Sequence, residues 1–321
     1  MSRPCDGIQR SPLAARWCLR VYAVFQLCML YLPLFRHHCA FVHLCRSRRP
    51  VRLGRVVQYA QLGAASPLPT ASGKPVVLDR LCRGWSIHQV LGGYRFNGDD
   101  ILLAREAWRA APSADHLLDL GAGTGSVGLF WLAQRPQARL TAVEAQEEST
   151  ELLNRTVGLL ELQPRVRVLQ GDLRDEGLMQ PFKAKFDVVT ANPPYIIPGD
   201  RKLPAHSQRR YCYYELRGGP YEFAQAAVKA LTDEGKFCMV HVASRSADVD
   251  RALADVGLKT LRRLTAFSRG EPKWQVLVCS RSPSELAVDE QELVVRDESG
   301  RWTKDWDAIC LEMGAFQKPT L

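Results

Sequence analysis

The chain has 321 residues, of which 46% are hydrophobic and 24% charged, enough for one large folded domain plus an extension. Its formal net charge of +9 is unevenly spread: residues 1–75 carry ten arginines and one lysine against a single acid, so the other 246 residues sum to −1. That distribution excludes reading the sequence pI of about 9.1 as evidence that the core binds nucleic acid.

Residues 1–75 read as a basic N-terminal extension, rich in arginine and poor in acid as organelle transit sequences are. Residues 21–35 are a largely apolar run of 15, short of the roughly 20 residues that cross a bilayer. Pro33 and Arg36-His37-His38 cut it off. The readings left open are a transit segment to mitochondrion or plastid, a secretory or anchor segment, and an upstream stretch wrongly joined to the gene. The expected location is accordingly cytoplasmic or organellar. Five of the ten cysteines lie in this stretch, and none forms a Cys-x-x-Cys pair. His37, His38, Cys39, His43 and Cys45 match no regular zinc spacing, so no metal is expected. Cys82, Cys212, Cys238, Cys279 and Cys310 read as buried or free thiols in a reducing compartment.

After a linker over 64–75, residues 76–87 and 90–94 suggest a small strand cap over a cofactor, and 100–110 a helix. Residues 116–120 are strand-like and run into a turn, Gly-x-Gly-x-Gly, at Gly121, Gly123 and Gly125. A helix follows over 125–135, the context in which a glycine turn can hold a ligand against the backbone. Asp119, Gly121, Gly123 and Gly125 are candidate cofactor contacts. The strand 139–143 ends at Glu144, placed to meet ribose hydroxyls, and the strand 165–169 leads to Asp172, placed to accept from an adenine amine. A helix is expected between them over 147–161.

The strand 186–191 stops at Asn192-Pro193-Pro194-Tyr195. An amino group conjugated to a π system is a poor nucleophile. Two acceptors aimed at its N–H bonds, the Asn192 side-chain oxygen and the Pro193 carbonyl, draw the nitrogen toward a tetrahedral shape. Pro193 and Pro194 stiffen the loop and push the preceding residues into extended geometry. Tyr195 is expected to stack on the flat acceptor, worth roughly 1–3 kcal/mol per base. Beyond it, Arg201, Lys202, Arg209 and Arg210 form a basic loop with Tyr211, Tyr213 and Tyr214, placed for phosphate contact. Arg262, Arg263, Arg269 and Lys273 are a second candidate patch.

A helix over 221–232, a strand 236–243, a helix 246–256 and two strands, 259–267 and 273–281, complete the alternation. The expected fold is α/β: a doubly wound, mainly parallel seven-stranded sheet with an antiparallel edge hairpin. The domain is expected over 76–282. The charged tail 283–321 is expected to pack loosely or stay mobile.

These motifs resemble the class I, Rossmann-like S-adenosylmethionine methyltransferases, and within them the small-domain amino-methyltransferases that carry Asn-Pro-Pro-Tyr. The similarity runs over about 76–282, through Gly93-Tyr94-Arg95-Phe96-Asn97-Gly98-Asp99-Asp100, the glycine turn, and the stretch from Asn192 to Leu216. It is greatest to the bacterial enzymes that N6-methylate the adenine beside a valine-tRNA anticodon. The resemblance implies that Phe96 and Asp100 lie near S-adenosylmethionine, with Asp99 the alternative for the acidic position, and that Asn192 to Tyr195 hold the acceptor. It implies a tRNA partner, a monomer and no membrane span in the core. The other reading is a glutamine N5-methyltransferase of peptide-chain release factors. The Gly-Tyr-Arg-Phe segment and the lack of an obvious helical substrate domain in the first 75 residues argue against it.

Overall fold

Five short apolar runs alternate with amphipathic stretches, and each run becomes a parallel strand: β3 (His116–Leu120), β4 (Arg139–Glu144), β5 (Val166–Gln170), β6 (Phe186–Ala191) and β7 (Leu231–Val242). The computed structural model describes residues 67–199, 202–281 and 287–315. The expected targeting run, the His/Cys cluster and Arg201 lie outside the described residues.

A second hairpin of the chain, β8 (Lys259–Ser268) and β9 (Glu271–Ser280), pairs antiparallel through a turn at Arg269 and Gly270. Both turn residues have positive φ, as two-residue hairpin turns require. β9 inserts antiparallel against β7. The mixed α/β expectation therefore holds, with one correction to the strand count. The main sheet has eight strands, ordered β10-β8-β9-β7-β6-β3-β4-β5. The eighth, β10 (Asp289–Arg296), comes from the tail expected to be loose, and pairs parallel with β8, so the hairpin is not at the edge. Its signal is weak because only Leu293 and Val295 are buried, between Glu290, Glu292 and other charges.

The helices are α1 (Gly98–Ala110), α2 (Ser126–Ala133), α3 (Glu147–Leu159), the single turn α4 (Glu176–Met179), α5 (Ser207–Tyr213), α6 (Pro220–Ala230), α7 (Ser246–Asp255) and α8 (Lys304–Met313). α2 is apolar all round, and Leu129, Phe130, Trp131 and Leu132 are fully enclosed. A helix with no polar face belongs inside, and each such side chain contributes roughly 1.5–3 kcal/mol on burial. α8 closes the same core with Trp306, Ile309 and Met313. Trp306 lies against Gly98 at the start of α1, where an added Cβ would stand 3.0 Å from its ring.

β1 (Val76–Arg80) and β2 (Ser86–Val90) form the small separate sheet expected at the start of the domain. Part of the expected linker is docked rather than free. Lys74 pairs with Glu148 at 2.9 Å, and Arg155 donates to the carbonyls of Leu68 and Pro69. Half of the second basic patch is likewise structural: Arg262 binds Asp289 and Glu106, and Arg263 binds Asp250 and Glu290. Among the described residues the free thiols are Cys82, Cys238, Cys279 and Cys310, all buried, and the half-buried Cys212. Among the described residues no helix is long and apolar enough to cross a membrane, and no His/Cys/Asp/Glu group could hold a metal ion.

Candidate active site

The site follows from strand order. β3 leads outward through β4 to β5, whereas β6 returns to pair on the other side of β3. At such a reversal two loops leave the same sheet edge in opposite directions and open a crevice. The glycine turn follows β3 and Asn192 follows β6. Register pairs Asp119 with Thr190 and Leu120 with Ala191, so both loops start side by side. A cavity of about 350 Å³ lies between them, lined by Gly121, Gly123, Glu144, Asp172 and all four residues from Asn192 to Tyr195.

The turn itself is shaped by backbone and packing. Gly125 has φ +92°, and a Cβ there would stand 2.3 Å from Leu153 of α3, so only glycine lets α2 start where it does. Gly125 does not line the cavity. Gly123 does, and its N–H donates to Glu144 Oε2 at 2.8 Å. Glu144 Oε1 accepts from Gln146 N–H at 2.6 Å. Burial raises the Glu144 pKa, and these two donors oppose that. Asp119 lines the cavity floor with both oxygens engaged: Oδ1 by the Thr190 hydroxyl at 2.7 Å and Oδ2 by Gly128 N–H at 3.1 Å. Desolvation pushes its pKa up to about 7. Asp172 sits at the rim, held by Arg174 in a two-point contact of 2.9 and 2.7 Å that lowers its pKa.

On the other wall, Asn97 N–H donates to Asp100 Oδ2 at 2.8 Å and closes the first turn of α1. Asn192 Nδ2 donates to Asp100 Oδ1 at 3.2 Å. The Tyr195 hydroxyl stands 2.7 Å from both Asn192 Oδ1 and Asp99 Oδ2. Burial raises the pKa of both aspartates, and as adjacent carboxyls they resist ionising together. Tyr195 thus turns its hydroxyl inward while its ring stands edge-on to buried His241, 4.9 Å between centroids. Arg245 braces this loop by donating to the Tyr195 carbonyl at 3.3 Å.

Besides Gly125, Phe96 is an expected cofactor contact that the structure turns away from the cavity. Its ring packs edge-on against Phe130 of the core, while Arg95 and Asn97 line the cavity. Successive residues of an extended segment alternate sides, so if Phe96 enters the core its neighbours face out. In the basic loop, Lys202 and Arg209 are exposed and Arg209 lies over the Tyr213 ring. Arg210 is half-buried and donates to the Pro204 carbonyl. Half of this loop is helix α5, which brings Tyr211 and Tyr213 to the cavity. Residues not anticipated from sequence are Arg217, stacked on Tyr211 with a buried, unpartnered Nη1, and Trp274, with Lys273 over its ring at 4.1 Å. Pairing of β9 with β7 brings Trp274 here, and the turn between α5 and α6 brings Arg217.

The donor set suits a cationic ligand bearing hydroxyls. Asp100, Glu144 and Asp172 all face one cavity, and Asp99 lines it beside them with its buried Oδ1 unpartnered. The start of α2 also lines it through Ser126 and Val127, a position that favours a carboxylate.

Residues 98–210 match the methyltransferase small domain family. The chain is an S-adenosylmethionine-dependent methyltransferase. Among curated proteins, this methyltransferase is similar to the tRNA1(Val) (adenine(37)-N6)-methyltransferase of Tolumonas auensis, 29% identical over 67% of this chain and 87% of the relative. The enzyme of that name from Enterobacter sp. (strain 638) is 29% identical over 66% of this chain and 84% of its own length. Among solved structures, a predicted O-methyltransferase from Agrobacterium tumefaciens aligns with a TM-score of 0.52 at 19% identity. That alignment covers 69% of this chain and all of the other, and it shows the class I, Rossmann-like fold.

Proposed function

We propose that this methyltransferase acts on the N6 amino group of adenine in tRNA. The observation that carries the reading is that Asn192, Pro193, Pro194 and Tyr195 line the same cavity as the glycine turn. Bound S-adenosylmethionine supplies an electrophilic methyl group. Asp100, Glu144 and Asp172 are the residues that would hold it, beside the glycine turn. Asn192 Oδ1 accepts one N–H of the substrate amine and the Pro193 carbonyl accepts the other. Among the described residues no donor engages that carbonyl. These two contacts would free the nitrogen lone pair for the methyl group that the bound cofactor would supply, the cofactor keeping its sulfur as a thioether, and the extra proton would leave to water. Holding the reacting groups in line supplies up to roughly 7–11 kcal/mol in favourable cases. The names of the similar bacterial enzymes support the tRNA substrate, and the exposed Lys202 and Arg209 with the cavity-lining Tyr211 and Tyr213 support a nucleic-acid path into the site.

The test is to incubate the enzyme with labelled cofactor and, separately, total tRNA, rRNA, DNA and release factors, then digest and identify the labelled product. N6-methyladenosine from tRNA is the expected result. Labelled methylglutamine in protein, with none in nucleic acid, overturns the reading. Asn192→Ala is expected to lower kcat about 100-fold, as loss of one group aimed at developing charge does. Cofactor affinity in that variant should stay near wild type by calorimetry.

A further inference from the structure

Three oxygens meet where α1 faces the loop after β6, and their protons do not add up unless one carboxyl is neutral. The Tyr195 hydroxyl is 2.7 Å from Asp99 Oδ2 and 2.7 Å from Asn192 Oδ1. It has a single hydrogen. An amide oxygen and an ionised carboxylate only accept, so with Asp99 charged one of these two short contacts lacks a proton. With Asp99 protonated the count closes: Asp99 donates to Tyr195, and Tyr195 donates to Asn192.

The neighbouring groups decide which aspartate carries the proton. Asp100 accepts from the Asn97 N–H and from Asn192 Nδ2, and the Ser126 hydroxyl also faces it. Asp99 meets the Tyr195 hydroxyl through Oδ2, with Asn192 and the backbone N–H groups of Asp99 and Asp100 near its carboxyl, and its Oδ1 is buried with no hydrogen-bond partner. With the Asn192 amide nitrogen on Asp100 and its oxygen on Tyr195, the proton count puts the anion on Asp100 and the proton on Asp99. Four other titratable groups face the pair: Tyr94 from the segment before α1, Tyr195 from the loop after β6, Cys212 from α5 and Lys273 from β9. Burial keeps both tyrosines protonated, and Lys273 is the only cation among them.

We propose that neutral Asp99 is a positioning residue, donating through Tyr195 to fix the Asn192 amide with its oxygen on the acceptor side and its nitrogen on Asp100. Turned over, Asn192 would set its oxygen against the Asp100 carboxylate, two acceptors face to face. The inference rests on the amino-methyltransferase reading of Asn192, and it goes beyond it by assigning Asp99 and the Tyr195 hydroxyl a shared role in orienting that residue. Ionisation of Asp99 would draw the tyrosine proton back and release Asn192.

The experiment uses the full chain and whichever acceptor the wild-type enzyme methylates. An acceptor other than adenine therefore sinks the proposed function and leaves this comparison readable. Asp99→Asn retains a donor toward Tyr195 and is expected to keep kcat within about threefold of wild type. Asp99→Ala and Tyr195→Phe are each expected to lose about tenfold in kcat with the KM for cofactor little changed. Wild-type kcat should decline at alkaline pH, and the Asn variant should lack that decline. Carboxyl-carbon NMR, which needs no activity, should show, beside the raised Asp119 signal, an aspartate titrating far above the usual range near 3.9 that is absent from Asp99→Asn. The proposal is overturned if Asp99→Asn is as impaired as Asp99→Ala, if it keeps the alkaline decline, or if Asp99 titrates in the ordinary range.

Discussion

The molecule buries acids around one cavity in two different ways. Asp119 and Glu144, at the ends of β3 and β4, have every oxygen engaged by a backbone N–H or a hydroxyl. Asp99 and Asp100, on α1, are two adjacent carboxyls with one oxygen left bare. A buried acid with a donor on each oxygen is a bracket: it sets the shape of the turn, and each engaged oxygen, as at Glu144, keeps a second lone pair for a ligand hydroxyl. A buried acid left short of donors is where a proton or a ligand is expected. Burial alone does not separate the two kinds, since all four are 5% exposed or less.

The largest effect should come from breaking the bracket. Asp119→Ala strands the Thr190 hydroxyl and the Gly128 N–H in a fully enclosed position. A few buried unsatisfied groups of this kind cost about 2–4 kcal/mol, measurable by urea unfolding. A variant with wild-type stability but lost cofactor affinity would move Asp119 to the ligand-holding group and break the distinction. The same carboxyl has a pH signature. Its folded-state pKa is raised to about 7, so the folded chain binds the extra proton and its contribution is fully present below about pH 4. That contribution is lost as pH rises through 7. Relative to Asp119→Asn, wild-type stability should therefore fall between pH 4 and pH 8. A pH-independent difference would mean that Asp119 is ionised in the fold.

Much of the scaffold was legible because it is local. Residues 116–120 and 186–191 are strands as their apolar runs predict, and the punctuation after each, glycines or prolines, marks a loop of the site. What stayed hidden depends on the rest of the fold. The doublet Asp99-Asp100 does not say which carboxyl is satisfied, because that is decided by Asn192 and Tyr195, more than 90 residues away. Phe96 was misplaced because its side depends on which neighbour the core accepts. Trp274 reaches the cavity only because β9 inserts beside β7. Residues 289–313 read as a charged tail, yet Leu293, Val295 and Trp306 complete the core once β8 and α1 offer them a surface.

Asp172 sharpens the comparison from the rim, where it is neither saturated nor deeply buried. Its side chain keeps 31% of its exposure, and Arg174 occupies one edge of the carboxylate. Asp172→Ala should leave stability within about 0.5 kcal/mol, as surface changes usually do. Cofactor affinity by calorimetry should weaken about tenfold, the loss of one hydrogen bond to a charged group. Unchanged affinity would remove Asp172 from the site and leave Glu144 as the strand-end acid that matters.

The smallest effect lies outside the acidic cavity, on the exposed bases of the entry loop. Lys202 and Arg209 are solvent-exposed, and Arg209 rests on Tyr213, which itself lines the cavity. Such groups, set against a nucleic-acid backbone, release counterions without reading sequence. Removing one phosphate-binding cation should lower the slope of log affinity against log salt by about 0.7–0.9. The double variant Lys202→Ala, Arg209→Ala is thus expected to weaken tRNA binding severalfold at low salt and hardly at all at high salt, with kcat at saturating tRNA unchanged. A fall in kcat with the salt slope intact would mean that these residues shape the cavity through Tyr213 instead of guiding the substrate to it.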